Sequence, residues 1–204
     1  MQLLHAAKKY QLSALVKRCV TFLDNELQPS NACSILNHCQ FFGENELGKK
    51  CLEKIEQNTE DALASDEFLT ISMETLGVLL DSNQLAMKEV DIFKRTHEWA
   101  LNNTDETRSL REALGENIKK IRFPIMTAKE FNDHVCPTNV LSDSEQLQIL
   151  RYVLNPEISP KPDAFSCEPR MNNQGKSQVF FDPMLLNKTL RDFKGTILKI
   201  SCQL

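Results

Sequence analysis

Apolar residues recur every three or four positions through most of the first 155 residues, which is the spacing of an amphipathic helix. Strand-like alternation of apolar and polar residues does not occur in this stretch. The pattern predicts helices near residues 2–9, 12–24, 29–42, 44–63, 72–81, 88–102, 105–122 and 142–154.

Local signals mark where several helices begin. Pro29 suits the first position of a helix, and Ser72 is a good N-cap. The capping-box pattern occurs twice further on, at Thr127 with Glu130 and at Ser142 with Glu145. Because most connections are short, we expect helical hairpins that stack into an elongated all-α array. The residues expected in its core are Leu36, Leu52, Leu80, Phe93, Trp99, Leu114 and Ile121.

Proline usage changes near residue 155. Only Pro29 lies within the first 123 residues, whereas five of the eight prolines lie between Pro156 and Pro183. Residues 155–175 are therefore predicted to form an extended linker. Two short strands, at 179–181 and 197–200, are possible in the remaining tail.

Composition excludes several classes of protein. With 41% hydrophobic and 25% charged residues, the 204-residue chain has the composition of a globular protein. It contains no apolar run long enough to span a membrane. Lys8 and Lys9 lie where a signal peptide would have its apolar segment. Seven cysteines without CxxC spacing favour a reducing compartment. We therefore expect a cytoplasmic protein that does not bind membranes.

The net charge of −4 is unevenly distributed. Residues 1–20 hold four bases and no acid, residues 21–155 hold 13 bases and 23 acids, and residues 156–204 hold seven bases and five acids. Binding to phosphate polyanions depends chiefly on Lys and Arg. The acidic central region therefore argues against nucleic acid as a partner.

Candidate chemistry is sparse. The cluster of Cys33, His38, Cys39 and Cys51 matches no structural zinc spacing, so buried thiols are the better interpretation. Signature motifs of nucleotide-binding proteins, metalloproteases and serine hydrolases are missing. We therefore predict a non-enzyme without cofactor, metal or catalytic residues. A remote alternative is a cysteine-dependent enzyme, for which the nearest pairing is Cys136 with His134.

Two N-terminal segments resemble a known family. Residues 6–12 (AAKKYQL), with Leu15 and Cys19, resemble the closing helices of a BTB (POZ) domain. The residues that resemble the start of the helix pair called the three-box, found after BTB domains in ubiquitin-ligase adaptors, are Leu27, Pro29, Ser30, Asn31, Ala32 and Ile35.

A stronger resemblance follows, to the BACK domain. Its last part, residues 121–126 (IRFPIM), together with residues 165–169 (FSCEP), is most similar to the BTB-BACK-PHR subgroup. The residues that carry the BACK resemblance are Leu80, Leu85, Met87, Glu89, Ile92, Phe93, Trp99, Arg108, Leu110 and 121–126. It implies an all-α BACK-like array and three divisions of the chain: the last helices of an incomplete BTB domain (1–24), the BACK domain with the three-box-like pair (25–155), and a Pro-rich linker and irregular tail (156–204).

The chain begins inside the resembling BTB domain, and residues 156–204 are too few for a PHR domain, so we expect a truncated product. Such a product leaves the apolar faces of residues 1–24 without the sheet on which they pack in the family. We therefore expect this segment to fray or to self-associate.

The resemblance implies a function in positioning rather than catalysis. BTB-BACK proteins bind a cullin scaffold and recruit a substrate protein to a ubiquitin ligase. The implied acceptor for the cullin is a groove between helices 29–42 and 44–63. The candidate partner-binding residues are Leu27, Pro29, Ser30, Asn31 and Ile35, for which ordinary core packing and capping is the competing interpretation. The other open alternative is a free-standing helical interaction module or a truncated isoform without ligase activity.

Overall fold

The computed structural model describes residues 1–105 and 107–171, and this part of the chain is all-α, without strands. This confirms the predicted fold class. The α-helices are α1 (Gln2–Lys9), α2 (Ser13–Asn25), α3 (Pro29–Phe42), α4 (Asn45–Gln57), α5 (Thr59–Ala64), α6 (Met73–Asp81), α7 (Glu89–Asn102), α8 (Leu110–Leu114), α9 (Ala128–His134) and α10 (Asp143–Leu154). The 3₁₀ helices are Asp66–Thr70, Gly115–Lys120, Phe123–Ile125 and Cys136–Thr138.

The predicted helix starts are confirmed. Ser72 caps α6 by accepting a hydrogen bond from the backbone N–H of Thr75. Pro29 occupies the first position of α3. The two predicted capping boxes form at the starts of α9 and α10, and another forms at α8 between Ser109 and Glu112.

Two predicted helices are shorter than expected. The helix over 44–63 is broken at Asn58, which separates α4 from α5. The prediction of a helix over 105–122 is wrong for most of that range. Helix α8 covers only Leu110–Leu114, and Gly115 ends it with a backbone φ of +51°. Residues 115–120 continue as a 3₁₀ helix. The apolar spacing continues through both breaks because the residues after each break also bury side chains, among them Leu63 after Asn58 and Ile118 after Gly115.

The core is one continuous cluster that runs from Leu27 to Phe165. Trp99 is 3% exposed, and its indole N–H donates to the Ile71 carbonyl at 2.9 Å. The predicted core residues are buried, except Leu52, which is half-buried at the edge. An aromatic group built on Phe123 joins α7 and α9 to the last described segment, since this ring contacts those of Phe93, Phe131 and Phe165 at centroid distances of 5.5, 6.1 and 5.3 Å.

The first two helices are held differently. Helix α1 buries Leu4 and Ala7, and Lys8 binds both the Phe42 carbonyl and the Glu44 carboxylate at the end of α3. Helix α2, described in full, has no buried residue. Its half-buried side chains Val20 and Leu23 pack against the core.

The segment after α10 forms neither helix nor strand as far as Met171, where the described part ends. It nevertheless packs on the array, since Pro162, Phe165 and Arg170 are buried. The strands predicted at 179–181 and 197–200 lie outside the described residues. Within the described ranges, every helix is too short or too polar to cross a bilayer.

Candidate protein-binding surface

The five residues proposed for partner binding lie around the start of α3, but they differ in accessibility. Leu27 and Ile35 are buried in the core, at 8% and 5% exposure. Asn31 accepts a hydrogen bond from the Gln28 N–H at 2.9 Å and donates to the Glu26 carbonyl at 2.8 Å, so its amide closes the first turn of the helix.

The other two of the five candidates reach the surface. Pro29 is half-buried at the first position of α3, and Ser30 is exposed beside it. Among the candidates, Ser30 therefore has the side chain most accessible to a partner.

The expected groove between α3 and α4 is filled by the chain's own side chains. Gly48 of α4 allows the two helices to approach closely, because a Cβ built there would lie 3.5 Å from the Cβ of Cys39. The larger buried side chains of the two helices are Cys33, Ile35, Leu36, Cys39, Leu47, Cys51 and Ile55.

An open cleft of about 370 Å³ lies instead between the end of α2 and α4. A salt bridge of 2.5 Å between Lys50 and Asp24 spans it, and this hydrogen bond raises the pKa of Lys50. Its lining residues are Asp24, Asn25, Leu27, Lys50, Glu53, Lys54 and Gln57. The sequence did not reveal this cleft, because the spacing of apolar residues within α2 does not show which helix α2 lies against.

A second cleft, of about 470 Å³, lies between α5 and the start of α7. Its lining is of mixed charge, with Met87 and Ala86 as the apolar members. The charged residues are Glu60, Lys88, Asp91, Lys94, Arg95 and Glu98.

Large apolar side chains are exposed on the first two helices and on the turn between them. Phe22 of α2 is 63% exposed and Leu12, at its N-cap, is 50% exposed. Leu3 and Tyr10 are exposed on α1 and at its C-cap. We call these four residues the N-terminal apolar surface. Contiguous exposed apolar patches are a feature of protein-binding surfaces, whereas single exposed apolar side chains are common on any protein.

The thiols are placed as hydrophobic core residues. Burial raises the pKa of the Cys33 thiol to about 12, with a smaller contribution from Glu67. The hydrogen bond between Cys51 and Cys39, followed by burial, raises the pKa of Cys51. Reactive thiols have a lowered pKa, so these environments disfavour nucleophilic chemistry at either position.

The pairing of Cys136 with His134 also lacks the features of a nucleophilic site. Burial raises the pKa of Cys136, while His134 is exposed in the last turn of α9. In the part of the chain that the structure covers, no three His, Cys, Asp or Glu side chains are grouped as a metal site.

Comparison with known proteins identifies the central array. Residues 32–136 match the family model BACK, described as "BTB And C-terminal Kelch". The chain is similar to BTB/POZ domain-containing protein 6-B of Danio rerio, with 36% identity over 148 residues that cover 70% of this chain and 31% of the relative. It is 34% identical over 148 residues to BTB/POZ domain-containing protein 6 of Homo sapiens, covering 70% of this chain and 28% of that one.

A further relative extends the match. BTB/POZ domain-containing protein 3 of Mus musculus is 34% identical over 166 residues, which cover 78% of this chain and 31% of the relative. The chain thus spans between 28% and 31% of the length of these curated relatives.

Proposed function

This chain belongs to the BACK domain family, and we propose that it is a non-catalytic, protein-binding scaffold of the BTB-BACK type that connects a cullin scaffold to a substrate protein in a ubiquitin ligase. The proposed division of the chain assigns residues 1–24 to the end of a BTB domain and 25–155 to the BACK domain with its three-box-like pair. The proposed location is the cytoplasm.

The observation that carries the proposal is the start of α3. Ser30 and part of Pro29 are exposed there, while Leu27 lines the cleft between α2 and α4. A partner segment lying along this cleft would meet charged side chains from α4 and the exposed first turn of α3. Leu27 and Ile35 would then support the surface from the core, since both are buried.

The raised pKa values of the Cys33 and Cys136 thiols support a non-catalytic role, because activated cysteines need the opposite shift. The hydrogen bond with Cys51 lowers the pKa of Cys39, but this thiol is buried in the core at 3% exposure. The size of the surface bears on affinity. Stable interfaces bury at least about 1,200 Å² in total. The seven residues that line the cleft, with one exposed helix turn, are fewer than the about 20–30 residues that each side of such an interface contributes, so we expect weak binding by this chain alone.

The test is calorimetric titration of the full chain with the N-terminal domain of a cullin. We expect measurable binding in the micromolar range, and a large loss of binding in Ser30→Arg, which places a bulky cation on the exposed turn. The matched control is Ser144→Arg, at a serine that is also exposed, in the first turn of α10.

Equal melting temperatures of both variants would show that the fold is intact. Nanomolar affinity would contradict the partial-surface argument. Absence of binding, or equal loss in both variants, would contradict the ligase role.

A second candidate function rests on a different observation, the exposure of Phe22 and Leu12. An interaction module without ligase activity would use the N-terminal apolar surface, either for a second copy of the chain or for another protein. Sedimentation velocity over a concentration series separates these possibilities, because self-association makes the sedimentation coefficient rise with concentration. Such a rise in a chain that does not bind the cullin domain would favour this second function.

A further inference from the structure

The segment from Pro162 to Arg170 has the composition of a linker but is bound as part of the array. Phe165 is 6% exposed and packs edge-on against Phe123, with ring centroids 5.3 Å apart. Arg170 is also 6% exposed. A linker that serves only as a tether gains nothing from burying an aromatic ring and a guanidinium, since ordering the chain costs conformational entropy.

The guanidinium of Arg170 is fully used in binding. Its Nε donates to Glu89 Oε2 at 2.8 Å, and its Nη2 donates to Glu89 Oε1 at 3.1 Å and to the Lys120 carbonyl at 3.1 Å. Its Nη1 donates to the carbonyls of Leu80 at 2.8 Å and Ser82 at 2.5 Å. These five bonds equal the donor capacity of an arginine side chain.

The acceptors of Arg170 come from three different parts of the array. Leu80 and Ser82 lie at the end of α6, Glu89 lies in the first turn of α7, and Lys120 ends the second 3₁₀ helix. One side chain therefore joins elements that are 81 and 90 residues away from it along the sequence, at Glu89 and Leu80.

Arg122 adds a second attachment to the same segment. Its Nη1 donates to the Glu168 carbonyl at 2.9 Å, and its backbone N–H donates to Glu89 Oε1 at 2.8 Å. Its other terminal nitrogen binds the Asn83 side chain. Glu89 thus receives hydrogen bonds from both arginine residues, and within the described ranges it is the acid whose carboxylate these two residues bind. Burying a carboxylate is costly unless it is paired. Loss of the charge of Glu89 or of Arg170 would therefore strongly weaken the binding of residues 162–170 to the array.

We propose that residues 162–170 form a latch, in which the Arg170–Glu89 ion pair and the Phe165 ring lock the segment after α10 onto the array and fix the point at which the chain leaves it. Arg170 is then a positioning residue. It sets where residue 171 lies relative to the start of α3, whichever partner binds there. The latch goes beyond the proposed function and does not depend on a cullin.

Limited digestion of the full chain with trypsin tests the latch directly, because trypsin must take the Arg170 side chain into its own binding pocket. We expect cleavage after Arg170 to be slow in the wild type and at least about tenfold faster in Glu89→Gln, measured by mass spectrometry. Cleavage after Arg108, in an exposed turn, is the internal reference. Glu60→Gln is the matched control, since Glu60 is an exposed acid in the first turn of α5.

A second pair of variants covers the case in which Glu89→Gln unfolds the whole chain and accelerates both cleavages. Phe165→Ala removes the buried ring, whereas Ile158→Ala removes an apolar side chain of the same segment that is 87% exposed. We expect hydrogen exchange of the amides from Asp163 to Arg170 to rise at least about tenfold in Phe165→Ala and to stay unchanged in Ile158→Ala.

Amides of α3 should keep their protection in both variants. The latch is wrong if, in the wild type, cleavage after Arg170 is as fast as after Arg108, or if the exchange of residues 163–170 is the same in both alanine variants.

Discussion

Helices α2 and α7 are of similar length, 13 and 14 residues, and both are amphipathic, yet they have different roles in the molecule. Helix α7 buries seven residues, among them Phe93 and Trp99. Helix α2 buries none of its residues and leaves Phe22 mostly exposed. An apolar face thus shows that a helix needs a partner, but it does not show whether the partner belongs to the same folded array.

The largest effect expected from this comparison is on the α7 side. Trp99→Ala should lower the free energy of unfolding by about 3–5 kcal/mol, because it leaves a cavity and removes the indole donor from the Ile71 carbonyl. Urea denaturation followed by circular dichroism measures this. An unchanged midpoint of the urea denaturation curve would show that Trp99 does not contribute to the core, and it would weaken the contrast between α7 and α2.

A smaller effect is expected where side chains connect one helix of the array to the next. Arg111 of α8 binds Glu145 of α10 in bidentate fashion, at 2.7 and 2.8 Å, and lowers the pKa of this carboxyl group to about 2. Since the folded-state pKa is below the ordinary value of 4.5, the pair stabilises the fold fully above that pH, and the contribution is lost as pH falls towards 2.

Glu145→Gln tests this contribution, because the glutamine oxygen can still accept from the Ser142 N–H in the capping box, whereas the charge and one of the two acceptors of Arg111 are lost. We expect a loss of about 1 kcal/mol at pH 7 that disappears near pH 2, measured as the difference between denaturation curves of wild type and variant. Glu130→Gln in the similar capping box of α9 is the control. A difference that is constant with pH would contradict the assigned ion pair.

The smallest effect on stability is expected on the α2 side. Phe22→Ala should change the free energy of unfolding by no more than about 0.5 kcal/mol, because the ring is already in water. It should, however, reduce any self-association seen by sedimentation velocity, since it removes part of the N-terminal apolar surface. Phe93→Ala, the same substitution at a 1% exposed ring, is the control and should be strongly destabilising. Equal losses of unfolding free energy in Phe22→Ala and Phe93→Ala would contradict the difference in packing between α2 and α7.

The sequence predicts the helices best where a local signal and the apolar spacing agree. Ser72, Thr127 and Ser142 mark starts that the structure confirms, because a cap depends on residues only three positions apart. The break at Asn58 and the turn at Gly115 were not predicted, because the apolar spacing continues across them.

The candidate site was predictable only in part, for a related reason. The position of Ser30 on the surface and of Ile35 in the core depends on how α3 packs against α4 and the rest of the array, which helical spacing alone does not define. The latch could not be predicted from local sequence either. Arg170 lies in a Pro-rich segment, and its partner Glu89 is 81 residues away, so nothing near it in sequence indicates an ion pair.

Hydrogen exchange of the full chain, at a concentration where sedimentation shows a monomer, tests the central comparison most directly. We expect the amides of α7 (Glu89–Asn102) to exchange at least about a hundredfold more slowly than those of α2 (Ser13–Asn25), because α7 buries seven of its residues whereas α2 buries none. Equal protection of the two helices in the monomer would contradict the account, since it would place α2 in the same cooperative unit as the BACK array.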